Sequence, residues 1–306
     1  MHNTREDYLR RTLDGLKAQT LPTTDWELLI VDNASKDPIE GRFDLSWHPN
    51  ARFLFEKKTG KTHALLKAIE AFQGELLLTV DDDNVLRPDF LQASLKISAE
   101  CPWLGAWGGS CIPEYETEPP AELRPWLYGL TVEKLTHSIW AKLPMGGPAL
   151  PPGAGMAVRR PVALYYREQV LHDPMRLALD RAGKSLSSGG DSDLALCGFA
   201  LGLGAGRFPE LELTHLIAGN RLTMEYIEPL FEGAGYGGTV LAAIHDKERR
   251  FPGQLEASAL RIFLLRLAML LTGKNRVEKK IRLAQERGRL AARRDLERMG
   301  YFNQKS

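Results

Sequence analysis

The first candidates for chemistry are three consecutive carboxylates that directly follow an apolar segment. In GELLLTVDDDNVLRPDFL, residues 74 to 91, an apolar run typical of a buried strand leads into Asp81, Asp82 and Asp83. Adjacent negative charges repel one another unless water or a cation neutralises them. If the strand continues to Asp83, its period of two residues puts Asp81 and Asp83 on one face and Asp82 on the other.

The triplet has two interpretations. A hard divalent cation, Mg²⁺ or Mn²⁺, prefers oxygen ligands and is often held by one or two carboxylates together with substrate phosphates. A solvated acidic turn, with Asn84 capping the helix predicted in RPDFLQASLKI, is the other interpretation. The position favours a cation site, because open α/β sheets bind ligands beyond the carboxyl ends of their strands.

Helix and strand patterns alternate around these residues. TREDYLRRTLDGLKAQ and KTHALLKAIEAF have apolar residues at helical spacing, whereas WELLIVDNAS is a second apolar strand pattern and ends near Asp32. Near-continuous apolar strands that alternate with helices predict a mostly parallel central sheet covered by helices on both faces.

The order and spacing of three blocks resemble glycosyltransferase family 2, which consists of inverting enzymes of the GT-A type. The blocks are DYLRRTLDGLKAQTLPTTDWELLIVDNASKD, KTGKTHALLKAI and GELLLTVDDDNVLRPDFL. The resemblance covers roughly residues 3 to 240 and is strongest before residue 95. It implies a Rossmann-like α/β domain, which we assign to residues 1–255, followed by a basic helical extension over residues 256–306.

The resemblance implies donor-binding roles for several of these residues. Asp81 and Asp83 match the two acids of the family's D-x-D motif, so Asp83 is predicted to bind the metal with Asp81 as a second ligand. Asp81 or Asp82 would contact the ribose of the nucleotide.

Three residues outside the triplet have implied roles on the donor side as well. Asp32 would contact the nucleotide base, while Lys58 and Lys61 lie where the family places basic residues against the diphosphate. From the residues alone, Asp32 also fits a turn formed by DNAS, and the lysines also fit a solvated basic loop.

Sugar transfer also needs a base that takes the proton of the acceptor hydroxyl. Family members usually have a Glu-Asp pair at the start of a helix, and SSGGDSDLAL occupies that place. Asp191 matches the aspartate and is the predicted general base, with Asp193 as a weaker substitute, whereas Gly190 stands where the glutamate is often found. As plain sequence, Asp191 equally fits an ordinary helix N-cap.

Two further residues could contact the metal or the diphosphate. His215 ends the strand pattern ELELTH and is a competent metal ligand, although a lone histidine at a strand end is commonly a hydrogen-bonded structural residue. Arg221 could bind phosphate in a bidentate manner, or lie on the surface of the first turn of a helix.

The acceptor side is predicted from two segments. Gly155 and Met156, in GAGMAVRR, resemble the family segment that lines the acceptor pocket, and a glycine turn leading into a strand is the other interpretation. Trp126 and Trp140 lie in a long irregular segment, residues 112–152, and could stack on acceptor sugars. Packing within a lid is the competing role for both.

One part of the family pattern has no counterpart. The family begins with a strand that leads into a turn holding the nucleotide base, but MHNTRED matches only the end of that turn. Loss of this strand is expected to expose a sheet edge beside the strand that ends at Asp32. We therefore expect the native chain to start upstream of Met1.

Composition limits the class of protein. The chain has 306 residues, 43% of them hydrophobic, and a formal net charge of +1, which argues against nucleic-acid binding driven by overall charge. Its three cysteines form no disulfide framework or zinc pattern, and no apolar run is long enough for a signal peptide or a membrane span. A cytoplasmic protein is the expectation.

The C-terminal extension differs in charge from the rest of the chain. Residues 274–298 hold ten Lys/Arg against four Asp/Glu. Such a basic amphipathic helix either lies on an anionic membrane surface, which would place the protein at the inner face of the cell membrane, or packs on the catalytic domain with its charges in water.

Together these features predict a metal-dependent inverting glycosyltransferase with Mn²⁺ or Mg²⁺ as cofactor. It would move a sugar, as hexosyltransferases do, from a nucleoside diphosphate sugar to a hydroxyl of a glycan or lipid-linked acceptor, in polysaccharide or cell-surface glycan synthesis. Two alternatives remain: a catalytically silent sugar-nucleotide-binding protein, suggested by Gly190 and the missing strand, and a nucleotidyltransferase.

Overall fold

A computed structural model describes residues 1–142, 147–177, 179–180, 189–246, 262–264, 267 and 275–301. Helices and strands alternate through the first hundred residues, as the hydrophobic patterns predict. The helices are α1 (Glu6–Lys17), α2 (Lys61–Ala71), α3 (Phe90–Glu100), α4 (Arg160–His172), α5 (Pro174–Leu177), α6 (Gly190–Ala200), α7 (Met224–His245) and α8 (Arg276–Arg298). The strands are β1 (Leu28–Asn33), β2 (Ala51–Glu56), β3 (Leu76–Thr79), β4 (Asn84–Leu86), β5 (Leu104–Tyr115), β6 (Ile139–Ala141), β7 (Met156–Arg159) and β8 (Gly204–Ile217).

The strands form two sheets. β1 and β2 are a parallel pair, and the larger sheet has the order β3-β7-β5-β8-β4, with β6 also paired to β8. Within the larger sheet only β5 and β8 run parallel, whereas the other four strand pairs are antiparallel. The predicted α/β class is confirmed, but the prediction of a mostly parallel sheet is wrong for the described strands.

Hydropathy does not reveal strand direction in this sheet. β3 and β4 are separated by only four residues, 80–83, but they lie at opposite edges of the larger sheet and pair with β7 and β8, both antiparallel. Buried strands look alike in hydropathy whatever their direction. The sequence pattern therefore identified strands without fixing how they pair.

Helices cover both faces of the larger sheet. Trp107 on β5 lies in one core with Leu13 of α1 and Ile97 of α3. The preceding residue, Ala106, lies in a second core that includes side chains of α2, α4 and α6. Successive strand residues point to opposite faces, so this alternation places the sheet between two helical layers.

The smaller sheet has little backbone pairing on the side of β1 away from β2. There, the amino group of Met1 donates to the carbonyl of Val31 at 2.9 Å, and the N–H of Asn33 donates to the carbonyl of Met1 at 2.8 Å. Between β1 and β3 the described residues contain no strand pairing. The described strands thus form two separate sheets, and the upstream start of the native chain stays a prediction.

The described part of the basic extension is a helix, α8, packed on α7. A β-carbon added at Gly288 of α8 would lie 1.9 Å from the carbonyl oxygen of Glu232 in α7, and one added at Gly235 would lie 2.3 Å from that of Gln285. The two helices therefore touch backbone to backbone. Arg287 adds ion pairs with Glu232 at 2.7 Å and with a second glutamate of α7.

The membrane interpretation of residues 256–306 stays a prediction. Most of residues 256–274 lie outside the described part of the chain. Where helices are described, none has the length and apolar content that crossing a bilayer requires.

A buried ion cluster joins three helices beside the site. Asp193 of α6 is fully buried, and its Oδ1 accepts a hydrogen bond of 2.6 Å from Arg176 of α5. The Nε2 of His245, the last residue of α7, lies 2.6 Å from the same oxygen. Asp193 is thus engaged in helix packing, and the structure does not place it where a substitute base would be.

Replacement of Asp193 by alanine is expected to destabilise the fold strongly. The change removes the closer of the two carboxylates that pair with the buried Arg176 guanidinium, at 2.6 Å against 3.8 Å for Asp173, and breaking such a buried pair typically costs about 3–5 kcal/mol. Urea unfolding would measure this loss. The matched control is Glu6→Ala, which removes ion pairs to Arg10 and Arg42 that are exposed and worth about 0–1 kcal/mol. Equal losses of unfolding free energy in the two variants would contradict the conclusion that Asp193 holds a buried ion cluster together.

Candidate functional site

The acidic triplet lies in a tight turn after β3. The strand ends at Thr79 and does not continue to Asp83, so the alternation of a strand does not set the directions of the three carboxylates. Asn84 is fully buried and closes the turn, because its Oδ1 accepts the N–H of Asp81 at 3.3 Å and its Nδ2 donates to Asp83 at 3.1 Å. Asn84 begins β4 and does not cap α3. The turn points the three carboxylates in different directions.

Lys61 connects the triplet to the predicted base. Its Nζ lies 3.2 Å from Oδ1 of Asp81 and 3.1 Å from Oδ2 of Asp191. Burial would lower the pKa of Lys61, but the negative charges of Asp191, Asp81 and Asp180 outweigh it and raise the pKa above its usual range. The ammonium ion is therefore a permanent positive charge between two acids that lie 110 positions apart in the chain.

A second cation lies on the other side of the turn. The Nη1 of Arg221 donates to Oδ2 of Asp83 at 2.8 Å, and Nε2 of His215 lies 3.4 Å from the same oxygen. Burial would raise the pKa of Asp83, but His215 and Arg221 outweigh it and hold this pKa below its usual range. Asp83, His215 and Arg221 are thus brought together, and their roles in binding a metal or phosphate stay predictions.

Asp82 faces a third environment, the start of the chain. Burial raises its pKa, a hydrogen bond with the Thr4 side chain acts in the opposite direction, and the charge of Asp83 adds to the increase. The triplet is therefore stabilised by three different partners: Lys61 for Asp81, the N-terminal segment for Asp82, and Arg221 for Asp83.

Asp191 lies in the first turn of α6 with its side chain turned into the site. No side-chain hydrogen bond caps this helix, so the capping interpretation does not describe its geometry. A β-carbon at Gly153 would lie 2.0 Å from the carboxyl carbon of Asp191. The glycine-rich segment predicted for the acceptor side therefore packs directly against this carboxylate, because residue 153 has no side chain.

One acidic residue of the site was missed by sequence reasoning. Asp180 is 7% exposed, and its Oδ2 accepts a hydrogen bond of 2.8 Å from the hydroxyl of Thr62. Burial raises the pKa of Asp180 to about 6; the charge of Asp191 acts in the same direction, and Lys61 and Thr62 oppose it. Nothing in the surrounding sequence distinguishes this aspartate. The only indirect signal is Gly190, which stands where the family often has a glutamate. A carboxylate absent from that position can be supplied by another segment.

Asp32 and its neighbour hold the loops at the end of β1. The two carboxylate oxygens of Asp32 accept the backbone N–H groups of Ser35 at 3.0 Å and Ile39 at 3.1 Å. Burial would raise the pKa of Asp32, but hydrogen bonds with Ser35 and Ile39 outweigh it and lower the pKa. This geometry is that of a turn-forming aspartate, and base contact remains a prediction.

Asn33, which the sequence did not single out, fixes the loop before α2. It accepts the N–H of Gly60 at 2.7 Å and donates to the carbonyl of Lys58 at 2.6 Å. Gly60 has φ of +138°, which favours glycine. The Lys58 side chain itself is exposed, so the structure places only Lys61 of the two lysines among the acids.

The predicted acceptor residues occupy different surroundings. Gly155, with φ of +68°, donates its N–H to the carbonyl of Thr79 beside the site, while Met156 is fully buried in the core. Trp126 packs edge-on against Phe231, with ring centroids 5.9 Å apart.

Trp140 is not brought to the carboxylates. It pairs with Gly206 in the sheet, nine positions before His215 on β8, which corresponds to roughly 30 Å along a strand. Its ring contacts Trp103 at the far end of the sheet, with centroids 6.5 Å apart.

The residues fit a divalent cation only in combination with a substrate. Within the described ranges, no group of three His, Cys, Asp or Glu side chains is arranged to hold a metal ion. Asp83 and His215 provide one carboxylate and one imidazole, whereas Asp81 is turned to Lys61. Mg²⁺ and Mn²⁺ are often held by so few side chains when phosphate oxygens complete the shell. Arg221 donates to Oδ2 of Asp83, the same oxygen that His215 approaches.

Comparisons with known proteins agree with the predicted resemblance. Residues 1–103 match the family model described as "Glycosyl transferase family 2". No curated protein sequence matches the chain.

Among solved structures, that of S. aureus TarS, residues 1–349, is 14% identical, covers 98% of this chain and 90% of its own, and has a TM-score of 0.47. The TarS complexes with UDP-GlcNAc and with UDP are 13% and 12% identical, each cover 96% of this chain and 89% and 88% of their own, and both have TM-scores of 0.46.

The buried acid at position 180 is expected to make stability depend on pH. A carboxyl with a pKa of about 6 in the folded state and 3.8 as its ordinary value favours folding most when protonated. Its contribution is therefore complete below about pH 4 and is lost as the pH rises through about 6. Asp180→Asn, which stays neutral, should gain stability relative to the unaltered protein between pH 4.5 and 7.5 in urea unfolding.

The control for this measurement is Asp25→Asn, at an exposed position. Its stability should follow that of the unaltered protein at every pH. If the stability of Asp180→Asn changes with pH in parallel with that of the unaltered protein, the raised pKa of Asp180 is contradicted.

Proposed function

We propose that the protein is an inverting glycosyltransferase that moves a sugar from a nucleoside diphosphate to an acceptor hydroxyl; the match of residues 1–103 to the model of glycosyl transferase family 2 supports this. One observation supports this most directly. Lys61 lies within 3.2 Å of both Asp81, on the donor side, and Asp191, the proposed base. The residues that would bind the donor and activate the acceptor thus share one site beyond the ends of the strands.

The proposed reaction is a single displacement. The acceptor hydroxyl gives its proton to Asp191 while its oxygen attacks the anomeric carbon of the donor. The bond between that carbon and the phosphate oxygen breaks, and the nucleoside diphosphate leaves with the bonding electron pair. Attack opposite the leaving group inverts the configuration of the sugar.

The cations of the site would stabilise the leaving group. Lys61 and Arg221 are positive charges on either side of the acidic turn, and negative charge develops on the diphosphate as the bond breaks. A Mg²⁺ or Mn²⁺ ion held by Asp83 and His215 would supply further charge neutralisation. Asp81 or Asp82 would contact the ribose, and Asp32 the base.

The acceptor and the pathway follow only from family resemblance. We propose a glycan or lipid-linked hydroxyl acceptor, in polysaccharide or cell-surface glycan synthesis, with the segment around Gly155 on the acceptor side. The domain over residues 1–255 would work at the cytoplasmic face of the membrane, with residues 256–306 as the part that contacts anionic lipid. Flotation with anionic vesicles, with and without Lys/Arg→Gln changes in that extension, tests the membrane part, and equal recovery would remove it.

Replacement of the proposed base tests the reaction. Asp191→Asn keeps the shape of the side chain but cannot take a proton, so kcat should fall about 10²- to 10⁴-fold. Donor affinity should change little, because the base acts on the acceptor. Release of nucleoside diphosphate from a panel of sugar nucleotides, including UDP-GlcNAc, gives the rates, and calorimetry gives the affinities.

Asp25→Asn serves as the control and should keep full activity. A silent sugar-nucleotide-binding protein, favoured by Gly190 and by the engagement of Asp191 with Lys61, would bind a donor tightly without releasing nucleoside diphosphate. Release of pyrophosphate would identify a nucleotidyltransferase instead.

The cation requirement is tested by Asp83→Ala. Turnover that depends on Mn²⁺ or Mg²⁺ should be lost, because the carboxylate proposed to bind the ion is absent. Calorimetry with each metal, with and without a sugar nucleotide, should show metal uptake by the unaltered protein and much weaker uptake by the variant. The metal-binding proposal fails if the unaltered protein takes up neither ion together with any sugar nucleotide.

A further inference from the structure

The first residue of α6 and Asp180 compete for one space. A β-carbon added at Gly190 would lie 2.3 Å from Oδ2 and 2.4 Å from the carboxyl carbon of Asp180. Distances this short exclude any side chain at position 190 while Asp180 stays in place. The carboxylate of Asp180 therefore occupies the volume into which a side chain at position 190 would begin.

We propose that Asp180 is a positioning residue of the transfer site, whose carboxylate replaces the side chain missing at position 190 and fixes Lys61 against Asp191. The proposal rests on the proposed function. It assigns to this chain a residue that neither the family model, which ends at residue 103, nor the sequence pattern identifies.

The contacts form a continuous path. Asp180 accepts a hydrogen bond from Thr62, which is 2% exposed and lies in the first turn of α2. Lys61 is the preceding residue, so the position of Thr62 determines where the lysine side chain starts. From there Nζ reaches Asp191 at 3.1 Å. The path thus joins the start of α2 to the start of α6.

The charge of Asp180 matters as well as its volume. Asp180 is one of three carboxylates, with Asp81 and Asp191, whose negative charges act on the Lys61 ammonium. A buried carboxylate needs compensating hydrogen bonds or charge to be tolerated, and Asp180 has both, from Thr62 and from Lys61. An uncharged side chain of the same size would keep the packing and lose the attraction to Lys61.

The relation between positions 180 and 190 allows a reciprocal test. Asp180→Ala should lower kcat about 10- to 100-fold, the size of effect expected when a reacting group is misplaced. Gly190→Glu should also lower kcat, because two carboxylates then meet in one space. In the double variant Asp180→Ala/Gly190→Glu, the carboxylate returns from the other segment and kcat should recover at least about tenfold over Asp180→Ala.

The matched control is Asp180→Ala/Gly190→Gln, which fills the space without the charge and should not recover. Asp180→Asn keeps the size of the side chain and should lower kcat although the variant is expected to be at least as stable as the unaltered protein. Recovery with Glu alone supports the proposal. Equal recovery with Gln, no recovery with either, or full activity of Asp180→Asn would overturn it.

Thermal unfolding separates this proposal from the proposed function. If the unaltered protein releases no nucleoside diphosphate from any donor, the transferase assignment fails. The Tm values still test whether the side chains at positions 180 and 190 share one space. As a single change, Gly190→Glu should lower Tm, and it should lower Tm much less when Asp180→Ala has already emptied that space. Additive Tm changes would show that the two positions share no space and would overturn the proposal.

Discussion

The shared ammonium ion of Lys61 is the interaction on which the site depends. Without it, the carboxylates of Asp81, Asp180 and Asp191 would face one another in a partly buried space, where repulsion between like charges is expensive. With it, residues from α2, the turn after β3 and the start of α6 are held in one place. The chain therefore forms a site from distant segments by distributing several acids around one cation.

Arg221 has a corresponding role on the other side of the turn. It pairs with Asp83, and His215 lies within reach of both. Protein cations thus neutralise the acids of this turn. Under the proposed function, a metal ion bound by Asp83 would displace Arg221, and the guanidinium would then be available to a phosphate oxygen.

Part of the candidate site could be predicted from the sequence because its signals are local. An apolar run followed by acids predicts a strand end, and strand ends of α/β proteins form ligand sites, so Asp81 and Asp83 were singled out without coordinates. Asp191 begins a helix, and only the family resemblance singled it out. Strand direction and residues such as Asp180, Asn33 and Thr62 could not be found in this way. Their importance comes from contacts between segments far apart in the chain, and a buried aspartate has the same one-letter code as an exposed one. Trp140 illustrates the opposite error, since aromatic composition gave no information about which end of the sheet the residue occupies.

The backbone contact between α7 and α8 bears on how the protein can be cut for study. Ile281 of α8 shares a core with Leu230 and Phe231, and Leu296 shares another with Leu196 of α6. A fragment that stopped before residue 275 would uncover this apolar surface along the glycines of α7 and would tend to aggregate. The boundary near residue 255 thus marks a change in amino-acid composition and not a place to cut the chain. A crystallisation or assay fragment should retain the final helix, because that helix supports α6, which carries Asp191.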